Sequence, residues 1–508
     1  MKKRKNITSL FVAALAIVVS NFNLVLAKQE NKAPNIIIIL ADDLGIGDTT
    51  CYNPDSKIPT PNIDRLANEG MMFTDAHAPA SICVPSRYGL LTGRYPFREW
   101  SSKNERIRTR NGVEWVNYSS TNLRAHKGKT TIASLLKSNG YKTSCFGKWH
   151  LGISHVPDEN GVLDYGPTDH GFDYYFGIDA PEIPPYAFIE NNRFVVPPTD
   201  RIEEQLGVDV INPKAQGAHW YAGKASPDWD FNACLPTINQ KSVDYIKENA
   251  KSEKPYFMYL SYPAPHAPWF PTEQFKGKSG AGQYGDYVMT LDWCIGKVLD
   301  ALEATGTKDN TLVIFSSDNG AYWLKEDLER FDHRANLHYK GGKGSLYEGG
   351  HRMPFLARWP EKIKAGSTSD KLVCFTDMMA TFAEMVGTNL PSDAGEDSFS
   401  MLPYLLDEKP QGLIRQDLVN AHYGVYTIAL RKGDYKLILP YWVYKIKDRT
   451  IEPEQLVDTS SKRYPKIVEL YNLKDDPSET KNLTSEMPEK AQEMFEALVS
   501  NIKKGKSR

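Results

Sequence analysis

Cys83 and Arg87 stand four residues apart in the run Ser81-Ile82-Cys83-Val84-Pro85-Ser86-Arg87-Tyr88-Gly89-Leu90-Leu91-Thr92-Gly93-Arg94. The run reads as a helix that begins at Cys83, because a first turn tolerates proline where its amides have no partner. Free N–H groups and the helix dipole make that start hospitable to an anion. Arg87 falls on the same face one turn on. The pattern also suits a plain buried helix, with Cys83 as a small apolar residue.

Five further groups carry polar chemistry. Asp42-Asp43 follows the apolar run Asn35–Leu40, and Lys148 and His150 follow Tyr141–Phe146. His266 follows Pro255–Tyr262, and Asp318-Asn319 follows Thr311–Ser316. Lys343 lies in the glycine-rich stretch Gly341–Pro354, where backbone can approach a ligand closely. That stretch lacks the spacing of a phosphate-cradling P-loop. Each group also has a plain reading, as a solvated turn for the aspartates or a hydrogen-bonded loop residue for His266. Their shared position favours a site, because ligands of open α/β sheets bind beyond the carboxyl ends of the strands. Three carboxylates and an amide are hard oxygen donors that suit one Ca²⁺ or Mg²⁺, with Ca²⁺ favoured by ligand number. Histidines at zinc-motif spacing are missing.

The elements needed to position these groups are legible as an α/β order. The continuous apolar runs read as strands buried on both faces of a mostly parallel sheet. Helices are expected over 60–67, 131–139, 236–249, 283–304, 372–386 and 487–502, with a charged, aromatic loop at 321–340. Residues 98–128 read as a polar excursion. Residues 153–235, including Gly171-Phe172-Asp173, Pro184-Pro185-Tyr186 and His219-Trp220-Tyr221, read as long loops of the kind that carry binding function. After about residue 410 the texture changes to a hairpin (Val425–Leu430 and Tyr435–Leu439), a strand at Glu469–Leu473 and a closing helix. The expected organisation is a leader at 1–27, a catalytic domain at 33–410 and an antiparallel-sheet subdomain at 411–508.

The chain has 508 residues, is 41% hydrophobic and 24% charged, and carries a net charge of −2. That balance gives no footing to a nucleic-acid binder, which needs a basic excess. Lys2 to Lys5, the apolar Leu10–Val19 and Val25-Leu26-Ala27 together fit a cleaved signal peptide. The apolar run is short for a membrane span, and no cysteine follows the cut as a lipoprotein anchor would need. A periplasmic or secreted protein without a stable membrane anchor is expected. Six scattered cysteines show no paired motif.

The run from Cys83 resembles the C-x-P-S-R signature of the type I sulfatases, and Gly147-Lys148-Trp149-His150-Leu151-Gly152 resembles their second signature. The resemblance spans roughly residues 34–485 and implies an alkaline-phosphatase-like α/β fold. It implies that a maturation enzyme oxidises Cys83 to formylglycine, whose hydrate attacks the sulfate ester. Asp42, Asp43, Asp318 and Asn319 would then hold Ca²⁺ together with the modified Cys83. Arg87 would steady the formylglycine hydroxyls and Lys148 would bridge nucleophile and sulfate. His266 and Lys343 would hold sulfate oxygens, one of them protonating the leaving alcohol, and His150 would be the base that breaks the sulfated hemiacetal. A sulfated host or algal carbohydrate, galacto-configured, is the expected substrate. Trp100, Trp115, Tyr186, Trp220, Trp229, Trp269 and Trp323 are candidate rim groups, and His170, Arg193, His338 and His351 candidate specificity contacts. Two rivals share the scaffold: a phosphoester or phosphonate hydrolase, and a non-catalytic glycan-binding protein.

Overall fold

The isoleucine run at 35–40 becomes the central strand of a ten-stranded sheet. The computed structural model describes residues 33–101, 108–110, 113–115, 128–408, 410, 412–422, 427–439, 445–447, 450–452 and 468–508. The expected leader and much of the 98–128 excursion, with the Trp100 and Trp115 side chains, lie outside the described residues.

The strands of the large sheet are β1 (Asn35–Asp42), β2 (Met71–Phe73), β3 (Lys142–Lys148), β4 (Tyr174–Ile178), β5 (Ile189–Glu190), β6 (Arg193–Phe194), β7 (Tyr256–Pro265), β8 (Thr311–Ser317), β9 (Phe355–Arg358) and β10 (Ser367–Ser369). Their spatial order is β10-β2-β9-β8-β1-β7-β3-β4-β5-β6. The middle five, β8-β1-β7-β3-β4, are mutually parallel. Ile38 sits opposite Tyr259 on one side and Ile314 on the other. Parallel strands must be covered on both faces, which is why these runs are apolar without alternation. Ile36, Ile38 and Leu40 face a core shared with α2 (Cys83–Thr92), α3 (Ile132–Ser138) and the Met378–Met385 helix. Ile37, Ile39 and Ala41 face α1 (Pro61–Glu69) and the helices Phe231–Asn249 and Gly282–Ala304.

A separate four-stranded antiparallel sheet, Asp417–Ala421, Ile428–Lys432, Tyr435–Leu439 and Glu469–Asn472, lies at the C-terminal end of the chain. Its core includes Leu418, Leu430, Leu437 and Leu470, packed with Met494 and Leu498 of the Pro488–Lys504 helix. The expected hairpin is present, but its first strand runs to Lys432 and the turn narrows to Gly433-Asp434. All six cysteines are free thiols. No described helix is long and apolar enough to cross a membrane.

Two expectations need correction. The helix expected over 372–386 holds only from Met378 to Met385. Val373-Cys374 instead pairs as a short parallel strand with Ala76-His77, and Asp377 receives the Cys374 amide at 2.8 Å. Apolar spacing could not reveal that distant pairing. The loop expected at 321–340 contains a short helix, Lys325–Phe331, whose first turn carries Glu326 and Asp327.

Candidate active site

α2 begins at Cys83, and all ten of its residues are buried. It ends at Gly93, whose φ of 64° closes the helix in the left-handed conformation. Arg87 reaches from its second turn to four strands. Its Nε donates to Asp318 Oδ2 at 2.9 Å, and its Nη2 lies 2.8 Å from the same oxygen and 3.5 Å from Asp42 Oδ1. Its Nη1 donates to Ser261 Oγ and, at 3.4 Å, to the Lys148 carbonyl. One planar fork thereby ties the carboxyl ends of β1, β3, β7 and β8 together.

The other groups converge on the same point. Lys148 Nζ donates to Asp42 Oδ2 at 2.6 Å, and Lys343 Nζ to Asp43 Oδ2 at 2.7 Å. Asn319 Nδ2 donates to Asp43 Oδ1 at 2.7 Å, and the Asp43 amide to Asp318 Oδ1 at 3.2 Å. His266 Nε2 lies 3.6 Å from Asp43 Oδ2, while its Nδ1 sits 2.6 Å from the Ala267 carbonyl and so carries the proton there. Asp43 and His150 take φ of 63° and 53°, which turn the chain abruptly at the two strand ends. Gly147, with φ of 93°, has no room for a side chain: a Cβ would stand 2.0 Å from the Ser261 carbonyl. That close approach brings β3 against β7 just where Lys148 and Ser261 meet Arg87.

The charges are buried and paired. Burial works to raise the Asp42 carboxyl, but Lys148, His266, Arg87 and Lys343 outweigh it and hold the group well below its ordinary range. Asp318 goes the other way, pushed up to about 6 by burial and by the charge of Asp42. Burial opposes the charge on Lys343, yet Asp43 keeps the ammonium firmly protonated. Burial, with Lys148 and Arg87 nearby, holds His150 neutral well below its ordinary value. Burial also pushes the Cys83 thiol up, so an unmodified Cys83 is a thiol rather than a thiolate.

Every expected site residue therefore falls in one neighbourhood. One donor atom each from Asp42, Asp43, Cys83 and His266 lies within 4.8 Å of the others. That set includes His266, whereas the Asp318 oxygens face Arg87 and the Asp43 amide. Of the expected specificity contacts, His170 stacks on Trp149 and His351 lies in a separate buried cluster with His77 and Glu348. Arg193 bonds the Asn160 carbonyl, and His338 lines a neighbouring cavity. The expected aromatic rim is mostly packing: Tyr186, Trp229, Phe231 and Trp220 stack among themselves, and Trp269 and Trp323 flank Tyr284. Sequence reading missed Ser261, Glu182, Asn212 and Tyr322. Only the first has a local signal, as a hydroxyl at the end of a buried strand.

A cavity of about 520 Å³ opens beside this cluster, lined by Asp43, His266 and Lys343 and by Glu182, His219 and Tyr322. A family profile described as Sulfatase matches residues 34–388. The chain belongs to the sulfatase family. A second profile, N-sulphoglucosamine sulphohydrolase, C-terminal, matches residues 341–507. The chain is 35% identical over 508 residues to the N-acetylgalactosamine-6-O-sulfatase of Bacteroides thetaiotaomicron, covering 93% of this chain and 94% of that protein. It is 32% identical to the steryl-sulfatase of Rattus norvegicus over 446 residues, covering 78% and 74% of the two chains. A solved chain from work on glycosaminoglycan metabolism by Bacteroides thetaiotaomicron superposes with a TM-score of 0.76 at 31% identity, covering 93% of this chain and 99% of that one. A solved complex with D-glucosamine-2-N,6-O-disulfate shares the fold, with a TM-score of 0.60 at 20% identity and coverage of 93% and 98%.

As a sulfatase the chain is a sulfuric ester hydrolase, on an alkaline-phosphatase-like scaffold. The donor set of this sulfatase fits a hard divalent cation. Asp42 Oδ1 and Asn319 Oδ1 are both buried without a hydrogen-bond partner, beside the Asp43 carboxylate. Unpartnered buried oxygens are costly unless something positive meets them.

Proposed function

We propose that this sulfatase removes O-sulfate groups from carbohydrates in the cavity beside Cys83, as an exported periplasmic or secreted enzyme. One observation carries the reading: Lys148, Lys343, Arg87 and His266 crowd a buried site at the start of α2, beside a cavity of about 520 Å³ with polar walls. A sulfate monoester is an anion and must meet cations, while a sugar ring needs polar walls. The sulfated sugars named for the relatives support the same class.

Cys83, converted to formylglycine by a maturation enzyme, would present a hydroxyl at the helix start. Asp42, Asp43, Asp318 and Asn319, with the modified Cys83, would hold a Ca²⁺ ion. When bound, that ion supplies positive charge against the sulfate oxygens and acidifies the attacking hydroxyl. Lys343 and Lys148 bind sulfate oxygens, and their aspartate partners keep both ammonium groups charged. His266, with Nδ1–H held by the Ala267 carbonyl, would act as proton donor through Nε2 to the leaving sugar oxygen in its doubly protonated form. His150 stays neutral through burial, which suits a group that takes a proton when the product sulfate is released. Arg87 does not reach for substrate in this reading; it fixes Asp318 and the strand ends.

The test is sulfate release from 2-O-, 3-O-, 4-O- and 6-O-sulfated monosaccharides, by enzyme made in a host able to mature Cys83. Release from at least one sugar, lost in Cys83→Ala, is expected, together with the aldehyde mass on the Cys83 peptide. Faster turnover of the matching sugar phosphate would sink the reading.

A further inference from the structure

The far wall of the cavity is built from residues 179–226, outside the catalytic cluster. Two of its side chains carry acceptor atoms with no partner. Glu182 Oε2 is buried and accepts no hydrogen bond. It lies 3.6 Å from His266 Nδ1, whose proton is already given to the Ala267 carbonyl. His219 is 2% exposed. Its Nδ1 stands 2.9 Å from the Gln205 carbonyl, which can only accept, so the neutral ring carries its proton there. His219 Nε2 is then a lone-pair acceptor, and it too has no partner. Both residues line the cavity that holds Lys343 and His266.

The scaffold behind them is rigid. The Tyr221 amide donates to the Glu182 carbonyl at 3.1 Å, and the Tyr186 hydroxyl lies 2.7 Å from the carbonyls of both Glu182 and Tyr221. Gln205 and Trp220, the residue after His219, exchange two backbone bonds at 3.0 and 3.1 Å. The aromatic stack of Tyr186, Trp229, Phe231 and Trp220 fills the space behind this wall. A pair of acceptors fixed this firmly is costly to leave unmet, and so selects ligands that bring donors.

We propose that Glu182 and His219 are specificity-determining residues that accept hydrogen bonds from two hydroxyl or amide N–H donors of the sugar ring carrying the sulfate. The inference rests on the sulfatase reading of the neighbouring cluster and adds a substrate class to it. The favoured substrate is a monosulfated saccharide unit whose ring presents free donors to this wall. A second sulfate or a uronate carboxylate at those positions meets the Glu182 carboxylate and is rejected by charge, and an aryl sulfate brings no donor.

The experiment compares wild type with Glu182→Gln and His219→Ala, each checked for an unchanged melting temperature. His219→Asn serves as a second variant should His219→Ala fail to fold. Three readouts are taken: kcat and KM for the best monosulfated monosaccharide, the same for its disulfated counterpart, and competitive inhibition by inorganic sulfate. Each variant should lose about tenfold in kcat/KM on the monosulfated sugar, the worth of one hydrogen bond, mostly through KM. Inhibition by inorganic sulfate should weaken less than twofold. The preference of Glu182→Gln for monosulfated over disulfated sugar should shrink about tenfold. Unchanged sugar turnover in both variants overturns the proposal, and so does parallel loss of sugar turnover and sulfate inhibition. A wild-type enzyme that releases sulfate from no sugar refutes the carbohydrate reading itself, which is a separate failure.

Discussion

Removing the Lys436 ammonium should destabilise the protein in a pH-dependent way. Lys436 Nζ lies 3.0 Å from Glu348 Oε1, 2.9 Å from Glu479 Oε1 and 3.0 Å from His351 Nε2, and all four residues are buried. In Lys436→Met the Glu479 carboxylate keeps the Glu348 amide, at 2.6 Å, and faces Glu348 Oε1 without the ammonium, while Arg352 stays 2.8 Å from Glu348 Oε2. Breaking a buried pair in this manner costs about 3–5 kcal/mol, or about 3–5 °C in melting temperature for a chain of this size. The sign with pH follows from Glu479. Burial pushes its carboxyl from 4.5 up to about 7 even with Lys436 opposing. The folded state thus holds this proton more tightly than the unfolded chain, and stability falls as pH rises from 4.5 through 7. Without Lys436 the folded value climbs further, adding about 1.4 kcal/mol of penalty per unit above neutrality. His351 adds to the trend, since burial and Lys436 hold it neutral and the variant frees it to take a proton in acid. Thermal unfolding at one scan rate should therefore show a larger wild-type-to-variant gap at pH 8 than at pH 5. Lys436→Arg should restore most of it. An equal gap at both pH values, or a larger one at pH 5, would refute the reasoning.

The active cluster yields three further expectations. Lys343→Ala should lower kcat/KM for a sulfate ester by about 10²–10³, the loss typical of one charge-stabilising donor, while Lys148→Ala should also lower the melting temperature because it strips the buried Asp42 of its closest cation. Chelation should abolish sulfate release and lower the melting temperature, and Ca²⁺ at 100 times its Kd should restore about 2.7 kcal/mol; a melting temperature indifferent to both would count against a bound ion. Gly147→Ala should leave little soluble protein, because its Cβ meets the Ser261 carbonyl at 2.0 Å at a φ of 93°; normal expression and melting would contradict that geometry.

The parts of the fold that were readable are those in which each residue faces the same surroundings along a strand. The runs at 36–40, 256–260 and 312–315 carry no charged or hydroxyl-capped short side chain because both faces are covered, and the charged residues after them could only lie at strand ends. Asp42, Lys148 and Asp318 were legible for that reason. Ser261 was not, because its role depends on Arg87, 174 positions away. The Glu182 and His219 wall was legible only as a long loop with aromatics, since residues 179–226 follow neither a helical nor a strand period. Most of those aromatics pack behind the wall, and composition alone cannot separate a stacking platform from its support. The overlong helix at 372–386 has the same origin: an apolar stripe reports burial, while the pairing of Cys374 with His77 is set by residues far away in the chain.

Lys343 has a further consequence through the segment that carries it. Its glycine-rich stretch is held at one end by the Gly344 amide on the Ser81 carbonyl and at the other by Glu348, which Lys436 and the Glu479 carboxylate secure from the C-terminal sheet region. Asp42, Lys148 and Arg87 are in place once the large sheet closes, but the last cation waits for residues near the end of the chain. A ribosome-bound polypeptide that has emerged as far as residue 430 would carry all five sets of polar residues and still lack the anchor for one of them. The position of Lys343 is thereby tied to Lys436 and Glu479, more than 90 positions further along the chain.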